Sequence, residues 1–254
     1  NDFIRTTEER HKVVVEKILK TVYDAGDIYE DEYEGLYSVS EERFITEKEA
    51  DSGQFRDIKK IKEKNYFFKM SKYQKSLIAH IKSNPMFLQP EHRKNEILGF
   101  LKKPLNDLCI SRPKSRLDWG IELPFNSDYV TYVWFDALIN YITAPGFLNN
   151  KTSFNKYWPA SMHLIGKDIL TTHAVYWPTM LMSAGIELPK TIFAHGWWLM
   201  EDEKMSKSTG NVINPMELID EYGVDPVRYY LMREMVLGQD ANFTSKSFIN
   251  RYNS

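Results

Sequence analysis

The sequence predicts an α/β chain: part of a doubly wound parallel sheet with an inserted connective α+β module. Three observations lead there. TYVWFDALINYI (131–142) and MHLIGKDILTTHAVYWPTMLMSAGI (162–186) each run from an apolar, β-rich stretch into a helical pattern. TIFAHGWWLM (191–200) supplies a further strand candidate, followed by the polar loop EDEKMSKSTGN. Strand, helix and strand at this spacing call for parallel pairing through helical crossovers, the arrangement that collects ligands at the carboxyl ends of its strands. Residues 27–124 are different in character, acidic and tyrosine-rich at first and broken by prolines later, and read as the inserted module.

In chain order, Thr6-Thr7-Glu8-Glu9 offers a capping box for a helix whose stripe is Val15, Ile18, Leu19 and Val22 and whose stop is Gly26. The alternation in GLYSVSEERFIT suggests a short hairpin, and 52–64 looks like a charged surface connection. Ser71 with Gln74 forms a second capping-box pattern before a helix containing Leu77, Ile78 and Ile81, stopped by Asn84-Pro85. A helix from about Glu91 to Leu101 follows, then an irregular or short-stranded stretch to Pro124. Asp136 is placed to open the helix after the next strand. Asn214-Pro215 and Asp225-Pro226 each read as an N-cap followed by proline at the first helical position. The expected divisions fall at 26, 124 and 200, and the resemblance set out below implies what they are: 1–26 a remnant of the first half of a nucleotide-binding domain, 27–124 the connective insertion, 125–200 the second half, and 201–254 the KMSKS loop with the start of a stem-contact helical region.

Composition bounds the function. With 254 residues and 43% hydrophobic content the chain can bury a core, and a formal charge of −2 leaves no global basic field of the kind nucleic-acid binders carry. One cysteine, Cys109, excludes an intrachain disulfide framework and a cysteine-based zinc knuckle. No apolar run reaches membrane-spanning length, and a reduced cytoplasmic setting is the expectation.

The chemistry concentrates in two places. Lys204-Met205-Ser206-Lys207-Ser208 puts two ammonium groups and two hydroxyls just beyond a strand, a composition suited to following polyphosphate oxygens as charge grows on them. A random Lys-Ser loop would be a solvated turn. His163-Leu164-Ile165-Gly166-Lys167-Asp168 ends a strand on a glycine that allows close backbone approach, with Asp168 free in principle to accept from ribose hydroxyls or simply to cap the next helix. His173 follows on that helix, a position more often filled by a satisfied core histidine than by a ligand contact. Trp134 and Tyr141, by pattern alone, are core aromatics, and Arg112 a loop charge.

The pentapeptide KMSKS resembles the second signature of class I aminoacyl-tRNA synthetases. SRP, WGIELP, YVWFDALINYI, HLIGKDI, HAVYWPTML, FAHGWW, KMSKSTGN and DPVRYYLM occur in the order of the methionyl-tRNA synthetase family, so the resemblance covers essentially the whole chain. It implies a Rossmann-like nucleotide-binding fold and ATP contacts at Gly166, Asp168, His195, Gly196 and Lys204 to Ser208. It also implies catalytic roles for Lys204 and Lys207. Methionine side-chain contacts are implied at Trp134, Tyr141, Ile169 and His173, and Arg112 is matched to the arginine that orients an aspartate lying upstream of Asn1. An aromatic slot suits methionine because a polarizable thioether packs well against rings.

Two departures qualify the resemblance. The His-Ile-Gly-His type first signature does not occur in this sequence, and residues 36–57 lack the cysteine pairs that many relatives place around zinc. The resemblance therefore implies the central part of such an enzyme, without its first motif or anticodon-binding domain and inactive when isolated. ATP is its substrate, Mg2+ is implied by ATP chemistry, no zinc is expected, and methionine and tRNA are the partners. The alternatives are a non-catalytic RNA-binding or scaffold fragment, and a class I synthetase for another apolar amino acid.

Overall fold

The computed structural model describes residues 2–38, 43–45, 50–51, 57–200, 202–205 and 210–254. Its helices are α1 (Glu9–Asp24), α2 (Gln74–Ser83), α3 (Glu91–Phe100), α4 (Val133–Ala137), α5 (Asn140–Thr143), α6 (Lys151–Tyr157), α7 (Trp177–Ala184), α8 (Pro215–Tyr222), α9 (Val224–Glu234) and α10 (Ser245–Tyr252). The strands are β1 (Ile28–Ser38), β2 (Arg43–Ile45), β3 (Ile58–Phe68), β4 (Leu88–Gln89), β5 (Leu108–Cys109), β6 (Ser111–Pro113), β7 (Glu122–Leu123), β8 (Asn126–Thr131), β9 (His163–Gly166), β10 (Ile192–His195), β11 (Trp198–Met200), β12 (Glu203–Lys204) and β13 (Ala241–Phe243). The chain forms two compact units, which interleave along the sequence and so cut across the divisions at 26, 124 and 200.

The first unit comprises Asn1–Ala79, Leu101–Pro159 and Tyr176–Leu188. α1 buries the predicted stripe and adds His11 and Val14 to it. Its capping box does not form. Glu8 is the N-cap and gives no side-chain cap, because its carboxylate accepts from the Arg5 amide at 2.9 Å and from Arg10 Nε at 2.6 Å. Gly26 ends the helix with φ +73°, a conformation glycine adopts without a Cβ penalty.

The hairpin is present as antiparallel β1–β2, and β1 also pairs along its whole length with β3, from Ile28↔Phe68 to Ser38↔Ile58. The expected surface connection is thus a strand from residue 58 onward. Lys59, Lys60, Lys62 and Lys64 along it are exposed, and Lys62 reaches Glu32 at 2.8 Å and Lys64 reaches Glu30 at 3.3 Å across the strands, so a run of charge hides the strand before its buried end at Asn65, Tyr66 and Phe68. The Ser71/Gln74 box is likewise absent, since Met70–Tyr73 is a 3₁₀ turn. Gln74 instead donates to the carbonyls of Leu101 and Lys103, each at 2.8 Å, and accepts from the Leu105 amide at 3.0 Å, stapling the return segment. A second antiparallel sheet, in the order β6-β8-β7, leads into α4, whose N-cap is Tyr132 rather than Asp136.

The second unit comprises His80–Phe100, Ala160–Val175 and Pro189–Ser254. Its three-stranded parallel sheet, ordered β4-β10-β9, contains the predicted parallel pair, Ile192↔His163 through His195↔Gly166. The two-residue β4 also joins it, too short to carry a period in the sequence. β9 runs into a 3₁₀ turn, Lys167–Ile169, and a π-helical segment, Thr172–Tyr176. Near the C-terminus Asn214 caps α8 as expected, accepting from the Met216 amide at 3.0 Å, whereas α9 starts at Val224 with Gly223 as its N-cap, leaving Asp225 inside the first turn. Val227, Tyr230, Phe243 and Phe248 form the buried cluster beneath these helices.

Candidate nucleotide and amino-acid site

In the second unit, parallel register puts Gly166 opposite His195 at the carboxyl ends of β9 and β10, where a doubly wound sheet gathers its ligands. A Cβ on Gly166 would lie 2.6 Å from Asp168 Oδ1, the far end of an exposed side chain that can turn aside. Gly196 is needed strictly, since a Cβ would meet the Gln239 carbonyl oxygen at 2.0 Å, and backbone cannot step aside as a side chain can. His195 Nδ1 donates to the Gly196 carbonyl at 2.7 Å. Asp168 lies inside the 3₁₀ turn, whose N-cap is Gly166; it is exposed and accepts from Trp197 Nε1 at 3.2 Å.

Trp197 organises the surrounding charges. The Lys167 and Lys204 ammonium groups each lie 4.2 Å from its ring centroid, where the negative face of the π system attracts cations. Lys167 also bridges Asp240 at 2.5 Å, while Asp240 accepts the Trp197 amide at 2.8 Å. The Lys167 ammonium and the Trp197 N–H hold the Asp240 carboxyl below the usual carboxylate range. Lys204, on β12, is paired with Leu199 of β11 across a tight turn, and its carbonyl accepts from Asn211 at 3.2 Å. Met205 packs on the cluster around Tyr230. The loop is therefore anchored at its start, while Ser206, Lys207 and Ser208 lie outside the described residues.

Ile169 closes the 3₁₀ turn, half-buried, and its carbonyl accepts from His173 Nδ1 at 3.0 Å. That bond fixes the proton on Nδ1 and makes Nε2 the lone-pair nitrogen. Burial holds His173 below its ordinary pKa, and burial with His173 as neighbour pushes His163 down to about 4, so both imidazoles are neutral near pH 7.

In the first unit Trp134 and Tyr141 are both half-buried, on α4 and α5. The Tyr141 ring lies 6.1 Å from that of buried Trp177, and desolvation raises its hydroxyl pKa. Arg112 is not a surface charge. It is 7% exposed on β6, donates to the Ser111 carbonyl at 2.7 Å, and lies 4.4 Å from the Tyr132 ring centroid. A guanidinium tolerates such burial because its flat, weakly hydrated face stacks on rings. Trp197, Lys167 and Asp240 were not legible as site residues; FAHGWW marks the place, but only the fold brings Asp240 to it. Among the described residues no three His, Cys, Asp or Glu side chains converge as a metal site, and no helix is long and apolar enough to cross a membrane.

Comparison with known proteins places this geometry. The chain is 49% identical to the methionine–tRNA ligase of Bacillus subtilis (strain 168), matching over its whole length and spanning 40% of that relative. It is 51% identical to the methionine–tRNA ligase of Fusobacterium nucleatum, of which it spans 41%. Its fold superposes with a TM-score of 0.91 and 45% identity on the Mycobacterium tuberculosis methionyl-tRNA synthetase in complex with methionyl-adenylate, covering all of this chain and 51% of that one. The apo form of that enzyme gives a TM-score of 0.87 at 42% identity. A model of the tRNA synthetases class I (M) matches residues 1–59 and 50–254, and the chain belongs to that family.

Proposed function

We propose that this chain is the central part of an enzyme that activates methionine with ATP and transfers it to tRNA. The observation that carries the reading is the cluster at the ends of β9 and β10, where the acid matched to the ribose and the first lysine of KMSKS are both tied to Trp197. In the first step a methionine carboxylate oxygen attacks the α-phosphorus of ATP, the bond to the bridging oxygen breaks, and pyrophosphate leaves. In the second a ribose hydroxyl of tRNA attacks the acyl carbon and AMP departs. Neither step begins with proton removal from a carbon, so alignment and charge stabilisation do most of the work.

Residue roles follow the matched motifs. Gly166, Asp168, His195 and Gly196 hold the nucleoside, Lys204, Met205, Ser206, Lys207 and Ser208 the polyphosphate, and Lys207 acts on the leaving pyrophosphate. Trp134, Tyr141, Ile169 and His173 contact the methionine side chain. Neutral His173 suits an apolar slot, because a charge there would have to be desolvated. Arg112, held by its stacking on Tyr132, orients a carboxylate near the substrate ammonium. Mg2+ is implied by the ATP chemistry, and among the described residues no three His, Cys, Asp or Glu side chains converge to hold it.

The test is methionine-dependent ATP–pyrophosphate exchange in a full-length enzyme carrying this chain. Trp134→Ala should raise the methionine requirement about tenfold, the loss of one well-packed aromatic contact, and leave the ATP requirement nearly unchanged. An unchanged methionine response removes the pocket assignment. The isolated 254-residue chain, which contains no His-Ile-Gly-His type signature, should give no appreciable exchange. Robust exchange by that chain overturns its expected inactivity, and absence of exchange by the full-length enzyme favours an RNA-binding or scaffold role.

A further inference from the structure

We infer that His11, a residue on α1 far along the chain from every site residue named above, is a positioning residue that sets the two aromatic side chains proposed to hold methionine. The inference rests on the proposed methionine role of Trp134 and Tyr141. His11 is wholly buried, and both of its ring nitrogens are engaged. Nε2 donates to Asp136 Oδ1 at 2.7 Å, and Nδ1 lies 3.2 Å from Thr143 Oγ1. Thr143 Oγ1 also lies 3.0 Å from the Ile139 carbonyl, so its one hydroxyl proton is shared between that carbonyl and Nδ1.

The spacing gives this contact its meaning. Trp134 and Asp136 are two residues apart on α4, and Tyr141 and Thr143 are two apart on α5. At 3.6 residues per turn, positions two apart point about 200° away from each other around a helix axis. His11 therefore grips the inner side of each helix while the aromatic ring leaves from the opposite side. One imidazole fixes the rotation of both.

The helices need such a tie. α4 has five residues and α5 four, far below the length at which a helix holds itself together in water. α1, by contrast, is sixteen residues long and buries Val14, Val15, Ile18, Leu19 and Val22 in the same unit. The rigid element supplies the imidazole, and the two short helices are set against it.

The two bonds can be separated chemically. A glutamine amide reaches roughly where Nε2 sits and an asparagine amide roughly where Nδ1 sits. His11→Gln thus keeps the bond to Asp136 and His11→Asn keeps the one to Thr143. Hydrogen bonds to a charged group are the stronger kind, so the Asp136 contact should dominate. In a full-length enzyme carrying this chain, His11→Gln should raise KM for methionine less than about threefold, and His11→Asn about tenfold. KM for ATP should stay within about twofold in both, and discrimination against norleucine should weaken in the order wild type, Gln, Asn.

A purely structural histidine predicts something else: lowered Tm with both KM values unchanged, or both rising together. Either result overturns the inference. If His11→Asn fails to fold, Asp136→Asn, which keeps an acceptor and loses the charge, must raise KM for methionine selectively, and equal effects on both substrates sink the idea. Failure here is distinct from failure of the methionine reading. If Trp134→Ala shifts the methionine KM and the His11 series does not, only the positioning role is wrong.

Discussion

The two polar clusters of this molecule are built in opposite ways. Around His11 the groups are buried, neighbours are fixed, and each ring nitrogen has one partner. Around Trp197 the charges are partly or fully solvated, and two lysines each lie 4.2 Å from its ring centroid with Asp240 bridged to one of them. Low dielectric makes the first arrangement stiff, because losing a partner strands a desolvated group. Water and salt make the second weak, since exposed cation–π contacts are worth only about 0.5–1 kcal/mol. Under the proposed roles this is a division of labour: the proposed aromatic slot is served by rigidity, and the proposed polyphosphate loop by contacts that exchange cheaply.

The largest test of that division concerns the loop. Lys207→Ala in a full-length enzyme should cost about 3 kcal/mol, roughly a hundredfold in single-turnover adenylate formation at saturating substrates. Lys204→Ala should cost clearly less, because Lys204 already has a resting partner in Trp197. Equal losses would erase the distinction between resting and acting lysine, and a pure loss of ATP affinity at Lys207 would show that the loop binds ground and transition states alike.

A buried group should instead report itself in stability. His163, held at about 4 against its ordinary 6.5, takes up its proton in the unfolded chain first as pH falls. Stability is therefore complete above pH 6.5, falls between 6.5 and 4, and loses about 3 kcal/mol in total by the lower bound. Urea unfolding across this range should show a shallower slope in His163→Gln than in the parent. Parallel slopes would mean that the ring is not kept neutral by the fold.

Asp27 tests the same principle with opposite chemistry. Burial pushes its carboxyl up, but hydrogen bonds from Lys72, Tyr73 and Ser183 outweigh that and hold it below 3.8. Its contribution is present above pH 3.8 and disappears as pH falls through the lower folded value. Asp27→Asn should thus destabilise at pH 7, and the gap to the parent should close as pH falls below 3.8; a constant gap refutes the linkage. The smallest effect belongs to the exposed cluster: Trp197→Leu should change unfolding free energy by no more than about 1 kcal/mol. A loss several times larger would show that the surface cluster is as structural as the buried one.

Legibility in the sequence followed the same line. The parallel pair β9–β10, the stripe of α1, the Asn214 cap and the hairpin were readable because each depends on local period or local capping. The capping boxes at Thr6 and Ser71 were misread because nearby groups compete for the same side chains: Arg10 claims Glu8, and the 101–105 segment claims Gln74. β3 was missed because charge pairs across strands leave no apolar alternation, and Arg112 was placed at the surface because nothing in ISRP announces the Tyr132 ring.

By itself the sequence determined the parallel strand pair with its strand-end glycines, the lysine loop and the kinship those motifs carry, all of them encoded within a few adjacent residues. Only the tertiary structure decided that Asp240 reaches Lys167 across 73 positions and that His11 reaches Asp136 and Thr143 across 125 and 132. The reason is physical. A local pattern is fixed by backbone geometry common to every chain, whereas which partner a buried polar group finds depends on how every intervening residue packs.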